Sequence, residues 1–187
     1  MNIIKTALDG VLVVVPKIHI DTRGHFFENY NNHDFQALGL PYKFVQDNHV
    51  FSNNRVLRGL HYQVQYPQGK LVRVTQGSVY DVAVDIRLGS PTFGTYMGLE
   101  LTAENKNMLF VPEGFAHGYQ VISDTAEVQY KCTQLYHRDD DFGIAWSDPE
   151  IRINWPLDNP LLSAKDKKLP DLKNVPDDLL PVYGKNL

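Results

Sequence analysis

The sequence predicts a mainly β protein, folded as one antiparallel sandwich or barrel. Three observations carry this. Short apolar or alternating runs at 11–15, 43–50, 55–63, 70–75, 79–86, 95–101, 107–111, 118–122 and 127–135 fill most of the N-terminal two thirds of the chain. Turn-forming triplets separate most of them: PQG (67–69), QGS (76–78), GSP (89–91), AEN (103–105), PEG (112–114) and SDT (123–125). In VYDVAVDI (79–86), Tyr80, Val82, Val84 and Ile86 alternate with Val79, Asp81, Ala83 and Asp85, the period-2 pattern of a strand with two different faces. Many short strands at such spacing give a sandwich or a barrel.

Each element has a local reason. VLVVV (11–15) is a continuous apolar run, much shorter than the ~20 residues a membrane helix needs. NNHDFQALG (31–39) is the helix signal of this half: Asn31 or Asn32 caps it, Phe35 and Leu38 share a face, and Gly39 stops it. Lys70, Val72 and Val74 share one parity, and so do Val128, Tyr130 and Cys132, whose apolar members mark both rows as inward-facing. Tyr136 continues the second parity three strand steps on. Beyond 156 the chain is rich in Pro, Asp, Lys and Leu, which suits short helical turns and extended segments packed on the sheet. No linker or repeat divides it.

Composition narrows the function classes. A chain of 187 residues makes one domain whose core supports itself without a disulfide or structural metal. Cys132 is the single cysteine, which allows a reducing compartment. The N-terminus lacks a basic n-region and a cleavage pattern, so a cytoplasmic location is expected. A net charge of −4 argues against a nucleic-acid or anionic-membrane surface, while leaving room for a local basic pocket.

Two stretches carry chemistry. RVLRGLHYQ (55–63) places Gly59 and His61 in a strand, and FVPEGFAHGY (110–119) makes a turn at Pro112 and Gly114 before His117. The P-x-G-x-x-H pattern is similar to the second motif of the cupin superfamily, which implies a double-stranded β-helix, or jelly-roll barrel. The first cupin motif normally supplies H-x-H, but here position 59 is Gly and position 63 is Gln. A tight divalent site needs three or more protein ligands; His61 and His117 alone fall short, although Asp81 or Asp85 could add a third, and no catalytic metal is expected.

The resemblance narrows to one family on seven motifs in order: DTRGHFFENY (21–30), FVQDNHVFS (44–52), VLRGLHYQ (56–63), QGKLVRVTQGSVYDVAVDIR (68–87), PEGFAHGY (112–119), YKCTQLY (130–136) and LSAKD (162–166). These resemble the dTDP-4-dehydrorhamnose 3,5-epimerases over most of the chain to about residue 170. The resemblance implies a single cupin-like domain with an N-terminal arm over about 1–30, a barrel over about 40–150 and a C-terminal packing segment over about 151–187. It also implies a cofactor-free isomerase acting on a dTDP-4-keto-6-deoxy sugar, and a homodimer whose N-terminal arm crosses to the neighbour.

Such a substrate has a ketone at C4, which acidifies the protons at C3 and C5 because their removal gives an enolate. The reaction needs a base, a stabiliser for the enolate oxygen, and an acid on the opposite face. His61 suits the base, since an imidazole titrates near working pH and carries no negative charge toward an anionic substrate. A carboxylate must orient it; Asp81, Asp85 and Asp166 all qualify by type, and the resemblance favours Asp166. Lys70, on an apolar strand face, would meet the enolate oxygen. By resemblance Tyr130 is the acid, with Tyr136 competing. His117 would contact the substrate near the ketone or the phosphates, and an exchange of roles between the two histidines stays open. Arg23 and Arg58 match diphosphate positions, where a guanidinium forks onto phosphate oxygens. Glu28, Gln46, Asp47 and Asn48 match positions that read the thymine and its sugar, with Phe26 packing on the base. Lys165 and Asp141 match binding positions, although the family pattern has a glutamate in place of Asp141. His25 replaces a more usual aromatic residue. Within this class the residues leave open an epimerase of one carbon only, on a related dTDP-4-keto-6-deoxysugar. Outside it stand a metal-dependent cupin and a non-catalytic sugar-nucleotide-binding cupin.

Strict alternation puts Arg58 and His61 on opposite faces, yet both are needed in one pocket. Glycine inside a strand often marks a bulge. An irregularity at Gly59 is therefore expected, and a regular ladder through 57–62 would contradict it.

Overall fold

The computed structural model of the protein describes residues 1–40 and 43–184. A six-stranded antiparallel sheet runs in the order β1 (Asn2–Lys5), β2 (Leu12–Val15), β10 (Met108–Val111), β7 (Lys70–Gln76), β12 (Thr125–Cys132) and β5 (Gln46–Asn53). A five-stranded sheet runs β13 (Phe142–Gly143), β6 (Leu57–Tyr62), β11 (Phe115–Val121), β8 (Ser78–Asp85) and β9 (Tyr96–Thr102). From β5 to β8 the chain passes to the other sheet at every step, so sequence neighbours rarely pair. That crossing is the signature of the expected jelly roll, and it closes the barrel with few free edges. A hairpin of β3 (His19–Asp21) and β4 (Gly24–Phe26) stands apart from both sheets.

Alternation sorts the core into layers. Val72, Val74, Val128, Leu109 and Val111 of one sheet meet Val79, Ala83, Leu101, Tyr119 and Val121 of the other inside the barrel. The opposite parity of β8, with Val82 and Val84, joins Leu60, Tyr62, Ile144, Leu172 and Val175 in a second core between the smaller sheet and the C-terminal segment. The helix α1 (Asn32–Ala37) covers the outside of the larger sheet, burying Phe35 with Leu71, Met108 and Phe110. Asn31 caps it by accepting from the backbone of His33 and Asp34, and Gly39 follows it at φ +76°. Leu38, expected on the buried face, instead sits at the C-cap and is partly exposed.

The anticipated strands all form. β1, β3, β4 and β13 are the additions; three of them are too short or polar to show a periodicity. One expectation needs correction. The run 127–135 stops at Cys132: Thr133 N still donates to the Gly69 carbonyl (3.0 Å), but Gly69 N bonds Thr133 Oγ1 (2.8 Å) in place of a ladder carbonyl, and that hydroxyl donates to Glu113 Oε1 (2.5 Å). Tyr136 therefore lies on a loop, and a strand parity shared with Tyr130 has no meaning for it.

The C-terminal segment is stapled to the smaller sheet by buried polar groups. Gln120 donates to the Leu157 carbonyl (2.7 Å) and accepts from its amide (3.0 Å). Asp148 accepts from the amides of Glu150, Ile151 and Leu172. Short 3-10 turns at 166–168, 172–174 and 177–179 follow the expected pattern for this tail. Among the described residues no helix is long and apolar enough to cross a membrane.

Asp85 is the most heavily bonded carboxylate beside the barrel. It accepts from Arg87 Nε (2.9 Å) and NH2 (2.7 Å), Ser90 Oγ (2.5 Å) and Thr92 Oγ1 (2.7 Å). Burial pushes its carboxyl up, but these donors outweigh it and hold the group below its ordinary value of 3.8. The unfolded chain thus takes up this proton at a higher pH than the folded one. The stabilisation is complete above about pH 4 and is lost as pH falls through the lower folded value. Asp85→Asn should cost on the order of 3 kcal/mol at neutral pH in denaturant titrations. It should also show a shallower loss of stability on acidification than the unsubstituted chain; an equally steep loss would contradict this account.

Candidate active site

The two histidines face each other. Across the smaller sheet His61 of β6 pairs in register with His117 of β11, and Gly143 of β13 pairs with His61 on its other side. Between His117 and Tyr119 the register slips, so that Tyr119 pairs with Arg58. The extra residue lies on β6 at Gly59, whose φ is +120°; the Gly59–Leu60 peptide is cis. The irregularity expected there exists, and Arg58 and His61 line one cavity although they differ in parity.

That cavity, of about 260 Å³, opens at one end of the barrel and is lined by His61, Lys70, His117, Tyr119, Tyr130, Arg58, Asp141, Lys165 and Asp166, among others. Asp166 comes from the C-terminal segment and bonds His61 Nε2 at 2.7 Å, with 5% of its side chain exposed against 30% for His61. The other two carboxylates considered for this role are engaged elsewhere: Asp81 holds His117 Nε2 at 2.8 Å, and Asp85 holds Arg87. Burial pushes Asp166 up, but hydrogen bonds from His61, Ser163 and the Gly59 backbone bring its carboxyl below the ordinary range. The segment that carries it is pinned on both sides, by Leu161 N to the Arg55 carbonyl (2.9 Å) and by Ala145 N to the Pro170 carbonyl (2.8 Å).

Opposite stand Lys70 and Tyr130, from the inner face of the larger sheet, where Lys70 pairs with Cys132 and Tyr130 with Val72. Burial lowers the Lys70 ammonium from its ordinary range, and the fields of Cys132, Asp141 and Asp81 partly restore it. Burial pushes the Tyr130 hydroxyl up to about 12, so it stays protonated at any working pH. An imidazole, an ammonium and a phenol thus share a cavity, and proton transfer beside a developing oxyanion is the chemistry this set supports.

The remaining expected residues sort into three groups. At the rim, Asp141 accepts from Tyr136 Oη (2.9 Å) and bonds Lys165 Nζ closely, so Tyr136 is held at the mouth rather than inside. On β5, Gln46 and Asn48 share the inward face: Gln46 Nε2 donates to Asn48 Oδ1 (3.1 Å), and Asn48 lies beside Cys132. Asp47 has the opposite parity, is exposed and pairs with Lys131, so its side chain is not brought to this cavity. Arg23, Phe26 and Glu28 lie on or beside the separate hairpin, where Arg23 bonds Asp21 and Phe26 is 66% exposed. They do not reach the cavity of their own chain. His25 stacks on Phe27 there. Among the described residues no three His, Cys, Asp or Glu side chains are grouped to hold a metal ion. The partnership of Asp81 with His117 was not anticipated: it depends on β8 and β11 lying side by side, with Ala83 opposite His117 and Asp81 two residues away on the same face.

A family model described as dTDP-4-dehydrorhamnose 3,5-epimerase matches residues 5–174. The chain is 49% identical over 176 residues to the dTDP-4-dehydrorhamnose 3,5-epimerase of Methanothermobacter thermautotrophicus, covering 92% of this chain and 95% of that one. It is 51% identical over 172 residues to the enzyme of the same name from Escherichia coli, with coverage of 90% and 93%. The crystal structure of a dTDP-6-deoxy-D-glucose-3,5-epimerase from Legionella pneumophila, in complex with dTDP-4-keto-L-rhamnose, superposes with a TM-score of 0.96 at 48% identity over 98% of this chain and 99% of that one.

The site depends on close backbone contact between β6 and β11. A Cβ added at Gly59 would lie 2.7 Å from Gly118 Cα and 2.8 Å from the His117 carbonyl oxygen, at a φ that L-residues avoid. Gly59→Ala should therefore destabilise the fold by at least about 2 kcal/mol, measured by thermal or denaturant unfolding. Any folded fraction should turn over poorly, because Arg58 and His61 flank the strained position. A variant of unchanged stability and activity would refute the packing described.

Proposed function

The chain belongs to the dTDP-4-dehydrorhamnose 3,5-epimerase family, and on that premise we propose that it converts dTDP-4-dehydro-6-deoxy-D-glucose to dTDP-4-dehydro-L-rhamnose by inverting C3 and C5, without a cofactor. The observation that carries this is the single cavity holding His61 on its buried carboxylate opposite Lys70 and Tyr130.

His61 takes the proton from the carbon next to the ketone. Asp166 supports it in two ways: it fixes the ring with Nε2 on the carboxylate, leaving Nδ1 for the substrate, and it steadies the imidazolium that forms. Negative charge then develops on the C4 oxygen. The Lys70 ammonium meets it in a site largely closed to water, where a fixed donor is worth a factor of about 10²–10³ in rate. Tyr130 returns a proton to the opposite face, and its high affinity for that proton matches it to an acid that must not ionise beforehand. The rim position of Tyr136 favours Tyr130 over Tyr136 as the acid. Repetition at the second carbon needs the same three groups, since C3 and C5 flank one ketone. Arg58 would fork onto the diphosphate, with Gln46, Asn48, Tyr136, Asp141 and Lys165 contacting the nucleotide side at the mouth. Asp47 would act there through its backbone, if at all, since its side chain faces the other way. A cytoplasmic location accompanies this reading, and the single buried cysteine is compatible with it.

We place Arg23, Phe26 and Glu28 in the neighbour's site, in a homodimer that exchanges its N-terminal arms. An exposed hairpin carrying Ile20 at 80% exposure and Phe26 at 66% supports this, because such apolar surface is costly in water unless a partner covers it.

Two experiments test these readings. Turnover in deuterium oxide should place solvent deuterium at both C3 and C5 of the dTDP-sugar, with His61→Ala slowed about 10²–10⁴-fold. Deuterium at neither carbon would reject the function, and deuterium at one carbon would reduce it to a single-carbon epimerase. For the arm, His61→Ala and Arg23→Ala variants, each inactive alone, should regain about a quarter of full activity after unfolding and refolding together in equal amounts, since half of the dimers are mixed and each has one intact site. No recovery would mean that the arm serves its own chain.

A further inference from the structure

The cavity holds two histidine–carboxylate pairs, and they are built differently. His61 and His117 are register partners, each tied through Nε2 to a carboxylate behind it. Asp166 lies in a turn held by its own backbone N–H, which donates to Ser163 Oγ (3.0 Å). Asp81 is wholly buried, and its Oδ2 has no hydrogen-bond partner among the described residues. A buried carboxylate oxygen without a donor is costly, so the charge of Asp81 has one counterpart in reach at bonding distance, the imidazole of His117. His117 itself is 7% exposed, while its β11 neighbours Gly118 and Tyr119 join it in the cavity wall.

We propose that Asp81 is a positioning residue for this reaction. It keeps His117 in the form that carries a proton on Nε2, and turns Nδ1 toward the substrate as a fixed contact. The unshared Asp81 carboxylate commits His117 to that one hydrogen-bonding arrangement. This rests on the epimerase reading above for its effect on rate, while the proton position is a property of the free protein.

Two measurements test it. Long-range proton–nitrogen correlation spectra of the full chain, with the His117 signals assigned by their loss in His117→Asn, should show Nε2 as the protonated nitrogen. A bare Nε2 with the proton on Nδ1 alone would overturn the proposal whether or not the chain is an epimerase. The second is a double-mutant cycle. Asp81→Asn offers His117 an uncharged acceptor of the same shape and should lower kcat about 10–100-fold, as loss of an orienting partner commonly does, with KM changed less. In a His117→Asn background the same change should lower kcat less than about twofold, because nothing remains to position. Equal effects in both backgrounds would mark Asp81 as a residue of general stability and reject its role. If Asp81→Asn fails to fold, the spectra still decide.

Discussion

The bond between His61 and Asp166 spans 105 residues of sequence, and most of the architecture serves to make it possible. His61 lies on the smaller sheet and Asp166 on a segment with little regular structure, so neither can be placed by local geometry alone. The sheet needs a bulge to bring His61 to the cavity. The tail needs Gln120, Asp148 and the backbone bonds around Leu161 and Pro170 to hold still against the sheet. The two requirements meet at the Asp166 carboxylate, which His61 reaches from the sheet. The second core, with Leu60, Ile144 and Leu172, is the apolar layer that fixes the tail at that distance.

The larger sheet contributes differently. Its inner face is apolar through Val72, Val74 and Val128, and toward one end it carries Lys70, Cys132, Gln46 and Asn48. The barrel is thus packed shut over most of its length and open where the chemistry is. A lysine is tolerated there because three groups of negative or potentially negative character surround it.

Much of this was legible in the residues. Period-2 alternation gave both layers of β8, and Asn31, Phe35 and Gly39 gave the helix with its cap and stop. Parity put Lys70 and Tyr130 on inward faces. The glycine at position 59 signalled the bulge, because strict alternation separated two residues that one site requires. What could not be read came from contacts between distant segments. Choosing among Asp81, Asp85 and Asp166 depends on how the tail docks and on which strands become neighbours, and neither follows from spacing. Tyr136 was misread because a side-chain bond at Thr133, invisible in an alternation pattern, ends the strand first.

The meeting of Gly59 with Gly118 also bears on how this barrel can change. Glycine stands at position 59, two residues before His61, where the H-x-H pattern would place a second histidine. Here any side chain at that position would collide with the β11 backbone, and the contact is reciprocal, since a Cβ at Gly118 would lie 2.5 Å from the Arg58 carbonyl of β6. A histidine at position 59 therefore does not fit the strands as they lie. The two strands would first have to separate, and that separation would dismantle the arrangement of Arg58 and His61. The close backbone contact that brings Arg58 and His61 to one cavity thus also keeps a ligand side chain out of position 59.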